Sequence, residues 1–379
     1  MSYYNDKEIG GPKIPILSNY QVDFSTTGAF GDYSFTEGHN TFASGKSAHA
    51  EGLNTFAGGN YSHTEGHETT AFGYDAHAEG HKSSANGQAT HSEGMRNTAI
   101  GKASHAEGLK NTTDFSAFSA HAEGEMNYTD GAASHTEGRK NFIYGNIYKY
   151  DLSGGIVKDE NGKYVVETFR GNYAHAEGYG NTILAEYAHA EGYGHTIELS
   201  APSGHAEGHG NLVSGEYAHA EGRGTKAKGP RSHTEGSATE ATGSRAHAEG
   251  ETTLASGNYS HAEGFKATAE GECSHAEGGN KKLTPGEDGA DDVISTAPVH
   301  KITINDEEHE IVSTKAKGIA SHAEGSQAYA YGFASHAEGY RGAAIGNYSH
   351  AENNLTEARG DNSHAEGMGT VAYGNNQHV

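Results

Sequence analysis

The sequence predicts an all-β solenoid built from 14-residue coils. A His-x-Glu-Gly motif occurs eighteen times, as HAEG, HTEG or HSEG, and most successive copies are fourteen positions apart. A second glycine follows the first after seven positions, as in Gly52 and Gly59, and divides each unit into two short halves. Glycine at every seventh position disfavours a helix, since each would cost about 1 kcal/mol relative to alanine. Fixed-period strand-and-turn halves instead predict coils that cover one another.

The repeat continues in the same register after every interruption. The interval between motif histidines lengthens to sixteen before His121 and His205, to forty before His175 and to forty-seven before His322. One regular interval back from His49 lies Phe35, in a degenerate first copy, and one regular interval forward from His364 lies His378. The repeat therefore extends over nearly the whole chain, with two long insertions.

Composition excludes several classes of function. Only 33% of the 379 residues are hydrophobic, and none is tryptophan, so periodicity rather than a large core must organise the chain. The formal charge is −24, and the basic residues form no long cluster, which argues against nucleic acid and against insertion into a membrane. Cys273 is the only cysteine, so one chain can build neither a disulfide framework nor a cysteine-rich zinc site.

The order of segments follows from where the repeat stops and resumes. Residues 1–27 lack the repeat, contain Pro12 and Pro15, and are expected to cap the first coil and attach the chain. The predicted shaft and insertions are 28–145 (shaft), 146–170 (inserted lobe), 171–278 (shaft), 279–317 (inserted lobe) and 318–379 (shaft). No signal peptide or apolar membrane span is visible, so we expect neither standard export nor a bilayer anchor, and an ending in mid-coil suggests a processed product.

The parity of the motif predicts which side chains face inward. Alternate residues of a strand point to opposite faces, so Ala48 and Ala50 share one face, and His49 and Glu51 share the other. The first pair is always small, which favours the inside of a thin coil. The second pair scarcely varies although it would face outward, which favours contact with another copy of the chain. The reverse arrangement, with His and Glu inside and the small residues at the subunit contact, stays open.

The predicted subunit interface consists of His–Glu pairs. A charge-assisted hydrogen bond would offset the cost of burying these polar groups. The residues assigned to it are His49, Glu51, His63, Glu65, His77, Glu79, His105, Glu107, His189, Glu191, His261, Glu263, His336 and Glu338. If glutamate raises the pKa of these histidines, deprotonation at high pH would weaken assembly. The alternative function for the histidine row is binding of a metal ion. Deamination at a zinc site is excluded because no P-C-x-x-C completes the ligand set.

The stretch "NTAIGKASHAEG" (97–108) carries a resemblance to known families. Its pattern, N-T/S-x-A-x-G followed by S-x-A-x-G, resembles the head repeat of YadA-like trimeric autotransporter adhesins. The variant with "SHAEG" alternating with "NTxAxG" is similar to shafts of phage tail fibres and appendages that precede an autoproteolytic intramolecular chaperone domain. The resemblance covers about residues 28–379 apart from the insertions. It implies a left-handed parallel β-roll assembled as a homotrimeric fibre.

Both insertions are predicted to form β-hairpin lobes. In the first, Asn161-Gly162 lies between two β-rich runs; in the second, "VHKITI" and "EHEIVST" flank the acidic turn "NDEE". Because loops on rigid scaffolds often bind partners, we expect both lobes to contact a receptor. The candidate binding residues are Tyr148, Tyr150, Tyr164 and Phe169. The alternative is that each lobe only packs on the shaft. The two intervals of sixteen are expected to contain β-bulges at coil corners.

A row of tyrosines lies two positions before the motif histidine. Its members are Tyr61, Tyr173, Tyr187, Tyr217, Tyr259 and Tyr348. Such a row could bind glycan, but covering a coil corner is the favoured interpretation.

The predicted function is that of a structural and adhesive protein of a virion or extracellular appendage. As a phage tail fibre, it would bind a host surface glycan or protein receptor, and its N-terminus would join other virion or appendage proteins. It is not expected to be an enzyme or to need a cofactor, apart from a metal ion on the histidine row. The alternatives are a bacterial trimeric surface adhesin, which would require an export signal and an anchor, and a polysaccharide depolymerase tailspike with carboxylates between chains.

Overall fold

The protein folds into parallel β-solenoids. The computed structural model describes residues 27–148, 166–168, 170–278 and 300–379. All regular elements in these ranges are strands, and none is a helix long and apolar enough to cross a membrane. The chain divides into two compact units, Met1–Glu191 and Gly192–Val379. Each is a solenoid of 14-residue coils, which confirms the predicted fold class; the left-handed winding and the trimer stay predictions.

Every coil contributes two strands, which we call the histidine strand and the second strand. In the first unit the histidine strands are Phe35–His39, His49–Leu53, His63–Thr64, His77–Ala78, His91–Met95, His105–Leu109, His121–Glu125, His135–Arg139 and His175–Tyr179. Its second strands are Gly28–Ala29, Phe42–Ala43, Phe56–Ala57, Thr70–Ala71, Ser84–Ala85, Thr98–Ala99, Thr112–Thr113, Tyr128–Thr129, Phe142–Ile143 and Thr182–Ile183. The strand His189–Tyr193 contains the unit boundary.

The second unit repeats this pattern. Its histidine strands are His205–His209, His219–Arg223, His233–Thr234, His247–Ala248, His261–Gly264, His275–Gly278, His322–Ser326, His336–Tyr340, His350–Ala351 and His364–Ala365. Its second strands are Thr196–Ile197, Leu212–Val213, Lys226–Ala227, Glu240–Ala241, Leu254–Ala255, Thr268–Ala269, Lys315–Ala316, Tyr329–Ala330, Ala343–Ala344, Glu357–Ala358 and Val371–Ala372.

Strand pairing confirms the predicted register. Each histidine strand pairs in parallel with the next coil, histidine opposite histidine, as His91 pairs with His105. The register holds across both insertions, where His135 pairs with His175 and His275 pairs with His322. It also extends to the degenerate ends, since Phe35 pairs with His49 and His364 with His378. The insertions therefore leave the coils on either side stacked directly on each other.

Small side chains fill the narrow interior of the coil. Ala48 and Ala50, which flank a motif histidine, are 1% and 0% exposed, and Ala57 of the second strand is 0% exposed. This burial settles the choice left open by the sequence: the small residues are inside, and His and Glu face outward. The inward side chains are uniformly small because the two strands of one coil face each other at close range. A larger side chain fits only where a neighbouring residue leaves space.

One region of the core exchanges alanine for larger residues and compensates nearby. Ile197 and Val213 occupy the inward position of second strands that usually have alanine. The residue before the motif histidine of the intervening strand is Gly204. A Cβ there would lie 2.9 Å from Val213 Cγ1 and 3.2 Å from Ile197 Cγ2. Glycine at 204 thus makes room for the branched side chains.

Glycines at one turn let adjacent coils approach closely. At Gly243 an added Cβ would lie 1.9 Å from the carbonyl oxygen of Gly257 in the next coil. The serine before the motif histidine closes the same turn, as Ser260 Oγ donates to the carbonyl of Gly257 at 2.7 Å. A side chain at this glycine is excluded by backbone atoms, which explains the second glycine of the repeat.

The two enlarged coils have longer turns, so the predicted β-bulges are wrong. The extra residues lie between strands, at 115–119 and 199–203. In the first, the backbone N–H of Ser116 donates to Asp130 Oδ1 at 3.0 Å, and Tyr128 OH donates to Asp114 Oδ2 at 2.6 Å. Burial raises the pKa of Asp130 to about 6. These side-chain bonds add to the backbone bonds of the enlarged turn, in which the N–H of Ser119 donates to the Lys102 carbonyl at 2.9 Å.

Antiparallel pairing occurs within both insertions. Ile147–Tyr148 pairs with Val166–Thr168, and His300–Ile304 pairs with Glu307–Ile311. The second hairpin turns at Asn305 and Asp306, whose φ angles of 52° and 66° suit a two-residue turn. The turn predicted at Asn161-Gly162 lies outside the described residues.

The second hairpin packs on its own unit. Ile302, Ile304 and Ile311 are buried together with Tyr329 and Ala343, which lie on second strands. Its apolar face is therefore used against the solenoid. The predictions that the insertions are projecting lobes and that they bind a receptor stay untested.

Candidate functional site

The candidate site is the outer face formed by the motif histidine and glutamate, which we call the His–Glu face. Strand parity places both side chains outward in every histidine strand, while the residue between them is buried. The side chains of His121 and Glu107 are 33% and 31% exposed. Of the predicted interface residues, the structure thus brings the histidines into one column and the glutamates into another within each unit.

The imidazole rings form a stack that follows the coils. His105 and His121 have ring centroids 4.8 Å apart and planes within 2° of parallel. The stack continues across the insertions, with centroid distances of 4.9 Å from His135 to His175 and 4.8 Å from His275 to His322. Because the strand spacing is about 4.8 Å, in-register histidines with one rotamer must stack in this way.

The Nε2 atoms of His105 and His121 lie near carboxylates of two coils. His121 Nε2 is 3.4 Å from Glu107 Oε1 in the preceding coil and 3.7 Å from Glu123 Oε2 in its own. Within the described residues, the Nε2 atoms of His63, His135 and His233 are buried and form no hydrogen bond. The chain itself covers this nitrogen, so a bond from Nε2 to a neighbouring subunit would require the ring to rotate.

Burial and stacking lower the pKa of many of these histidines. At His105, burial has the largest effect, the adjacent His91 and His121 lower the pKa further, and Glu93 and Glu123 oppose them. A lowered pKa is found for His77, His105, His135, His175, His219, His233, His247, His322 and His336. The expected rise in pKa is therefore wrong for these residues in the single chain, because lost hydration and neighbouring imidazoles outweigh the glutamates.

The His–Glu face also contains groups that could hold a metal ion. His49, Glu51 and His63 offer three ligand atoms within 4.8 Å of one another, and further groups repeat this set. Two stacked rings are poor ligands for one ion, however. With centroids 4.8 Å apart, a midway ion would lie about 2.4 Å from each nitrogen, beyond the usual zinc–imidazole bond of about 2.1 Å. Binding of metal ions by histidines of several chains around a symmetry axis stays a prediction.

A shallow groove runs along the glutamate column. It has a volume of about 420 Å³ and is lined by Glu79, Glu93, Gly94, Glu107, Gly108, Glu123 and Gly124. The same residue types line it coil after coil. The groove is therefore a property of the repeat and singles out no particular coil as a reaction centre.

The candidate receptor residues of the first insertion are not brought together in the described part of the chain. Tyr148 ends the strand Ile147–Tyr148. Tyr150, Tyr164 and Phe169 lie outside the described residues. Their assignment to receptor binding stays a prediction.

The tyrosine row lies at a coil corner, as favoured from the sequence. Tyr61, Tyr173 and Tyr187 have positive φ angles and are 45%, 59% and 59% exposed. Tyr173 and Tyr187 stack with centroids 5.1 Å apart. The rings therefore project into solvent from the corner.

Sequence reasoning missed a buried asparagine ladder. Asn111 Oδ1 accepts the backbone N–H of Asn127 at 2.8 Å, and Asn111 Nδ2 donates to the carbonyls of Gly124 at 2.8 Å and of Glu107. Where threonine replaces asparagine, Thr69 Oγ1 donates to the carbonyl of Glu65 at 3.1 Å. The signal was the recurrent Asn or Thr six positions after the histidine. This ladder fixes the backbone that presents each glutamate.

The comparisons with known proteins agree with this geometry. The family model of the YadA head domain repeat matches residues 37–62, 65–90 and 359–376, so matches occur in both units. A search of the curated proteins finds no match. The matched segments resemble YadA head repeats, and the parallel 14-residue coils of both units are consistent with that type of repeat.

Proposed function

We propose that this chain is the shaft of a homotrimeric adhesive fibre, a phage tail fibre or related appendage that binds a host surface. The observation that carries the proposal is the His–Glu face, which points outward yet keeps both residues along the two units. The outward position of the second strands, by contrast, varies in residue type, with Lys226 and Leu254 at equivalent positions. A constant outward face is what identical subunits in register would require.

Assembly would use the parts of the His–Glu face that the single chain leaves open. About a third of each ring and of each glutamate is exposed, as for His105 and Glu107. Three copies in register would bury these surfaces against each other coil by coil. Such contacts specify register more reliably than they add stability.

The proposed role is structural and adhesive rather than catalytic. A catalytic group is needed once, whereas the outward polar groups repeat with every coil. In this proposal the fibre acts on a virion or outside the cell, and residues 1–27 join it to other virion or appendage proteins. Host recognition is assigned to the insertions, where the scaffold allows side chains that the repeat does not dictate.

Binding of the fluorescently labelled chain to intact bacterial cells tests the adhesive role. Removing residues 146–171 returns the spacing of His135 and His175 to that of a regular coil, and removing 280–312 does the same for His275 and His322. We expect saturable binding by the full chain and loss of it when both segments are removed. The two single deletions, which each keep the register, separate the contributions of the two insertions.

Two results would contradict this proposal. Absence of saturable binding across a broad panel of bacteria would remove the adhesive role. Clearing of a host capsule by the purified chain would replace it with the depolymerase alternative.

A further inference from the structure

One corner of the second unit carries four large side chains on successive coils. They are Tyr217, Arg231, Arg245 and Tyr259, with φ angles of 55°, 59°, 56° and 57°. The corner is fixed coil to coil, since the N–H of Arg231 donates to the Glu216 carbonyl at 2.8 Å and that of Arg245 to the Pro230 carbonyl at 2.9 Å. The four side chains therefore project from a rigid column about 14 Å long at the strand spacing.

The backbone conformation at this corner is costly for such residues. A positive φ disfavours residues other than glycine by about 1–2 kcal/mol. The other corner of the coil has glycine in this conformation in some coils, as at Gly194, Gly210 and Gly224, and residues with side chains, such as Lys110, in others. In the described residues, the row that contains Tyr217 and Arg231 has no glycine with positive φ. Side chains are thus kept at this corner where the backbone alone would favour glycine.

The two arginines contact aromatic rings rather than acids. Arg231 Cζ is 5.5 Å from the Tyr217 ring centroid, and Arg245 Cζ is 5.2 Å from that of Tyr259. Arg245 Nη1 also donates to Tyr259 OH at 2.7 Å. Arg139 and Arg359, by contrast, form ion pairs with glutamates. The guanidiniums of Arg231 and Arg245 are exposed.

Arg231 and Arg245 place two cations on adjacent coils, as Arg96 and Lys110 do at the other corner. Other cations face an acid on a neighbouring coil, as Lys228 Nζ lies 2.7 Å from Glu240 Oε1 and Arg139 Nε lies 3.2 Å from Glu125 Oε2. Two cations side by side are unfavourable unless an anion joins them. Along this stretch of the corner, acidic residues stand beside its ends, at Glu216 and Glu272. The centre of the column is thus positive in a chain of formal charge −24.

We propose that this column binds an acidic polysaccharide. Carboxylates of the polymer pair with the forked guanidiniums of Arg231 and Arg245, and its sugar rings pack on the exposed faces of Tyr217 and Tyr259. This inference rests on the proposed adhesive function and names a class of ligand for it. The corner that carries Tyr173 and Tyr187 has stacked aromatic rings but no arginine beside them. Ala133 and Ser203 occupy the corner positions on either side.

The test measures binding of the full chain to polygalacturonate at low ionic strength, with neutral dextran and inorganic polyphosphate as comparison polymers. The paired substitution Arg231→Gln and Arg245→Gln is expected to weaken polygalacturonate binding about tenfold. Tyr217→Ala with Tyr259→Ala is expected to weaken it about fivefold and to leave polyphosphate binding unchanged. Arg223→Gln, which removes an exposed charge at the end of a histidine strand of the same unit, is the matched control and is expected to change nothing.

Three results would overturn the proposal: polygalacturonate binding that the paired arginine substitution leaves intact, an equal loss from Arg223→Gln, or tyrosine substitutions that leave polygalacturonate binding intact. The last would mean that the column is only a patch of charge. Cell binding separates this failure from that of the adhesive function. A chain that binds cells through its insertions but ignores polygalacturonate refutes the column and leaves adhesion standing. Solution mass and hydrogen exchange confirm that each variant keeps its fold.

Discussion

Replacing Gly243 by alanine is expected to disrupt the second unit locally. The new Cβ would lie 1.9 Å from Gly257 O and 2.5 Å from Gly257 C, far inside the 3.4 Å at which ordinary contacts begin. These are backbone atoms, so the next coil must move. The shift would break bonds such as Thr242 N–H to Ala255 O, now 2.9 Å. Overpacking costs about 1–3 kcal/mol, and each lost hydrogen bond costs about 1 kcal/mol. We therefore expect the substitution to lower the free energy of unfolding by about 3 kcal/mol or more.

Gly224→Ala provides the matched control. Gly224 has φ of 66° and no atom within 4 Å of an added Cβ, so alanine there should cost only about 1 kcal/mol of backbone strain. Urea unfolding of both variants gives the difference in free energy, and hydrogen exchange locates it. Since each coil contacts only its neighbours, the Gly243 variant should lose protection mainly in coils 233–264. Equal destabilisation by the two substitutions would refute the close-stacking argument.

Three further predictions concern the ladder, the core and pH. Asn111→Ala should lower the free energy of unfolding by about 2 kcal/mol because it leaves buried backbone groups unpaired, and Asn111→Thr should cost less; equal losses in urea unfolding would contradict this. Gly204→Ala should destabilise the chain by about 1–3 kcal/mol, and adding Val213→Ala should restore part of the loss; purely additive effects would contradict the compensation. Because the folded chain lowers the pKa of His77, His105 and His135, the unfolded chain binds protons first as pH falls. Stability should therefore be highest above about pH 6.5 and decline toward pH 5, which thermal melting at pH 7.5 and pH 5 would measure; equal melting temperatures would contradict it.

The repeat made the fold predictable from the sequence. The same motif resumes after each insertion and should pair in the same way as in the regular coils. The pairing of His135 with His175 could therefore be predicted from the motif. The inward facing of Ala48 and Ala50 followed from size, because only small residues suit a thin coil. The corner position of the tyrosines followed from their place between two strands.

Other features could not be predicted because they depend on contacts between coils. Gly204 leaves space for Val213, which lies nine positions later in the sequence. The distance between these two residues depends on how the chain winds and cannot be read from the sequence. The lowered pKa of His105 depends on how deeply the ring is buried in the stack, whereas the sequence shows only a nearby glutamate. The contact of Arg245 with Tyr259 likewise appears once successive corners are stacked.

The central claim is that the His–Glu face joins copies of the chain, and the native mass in solution tests it most directly. Light scattering of the purified protein should give three times the chain mass of 39.8 kDa. Substituting Glu263 and Glu277 by lysine, both on the His–Glu face of the second unit, should reduce that mass through repulsion between like charges across the interface. A chain that is monomeric at all concentrations would contradict the account, since the constant outward face would then have no partner.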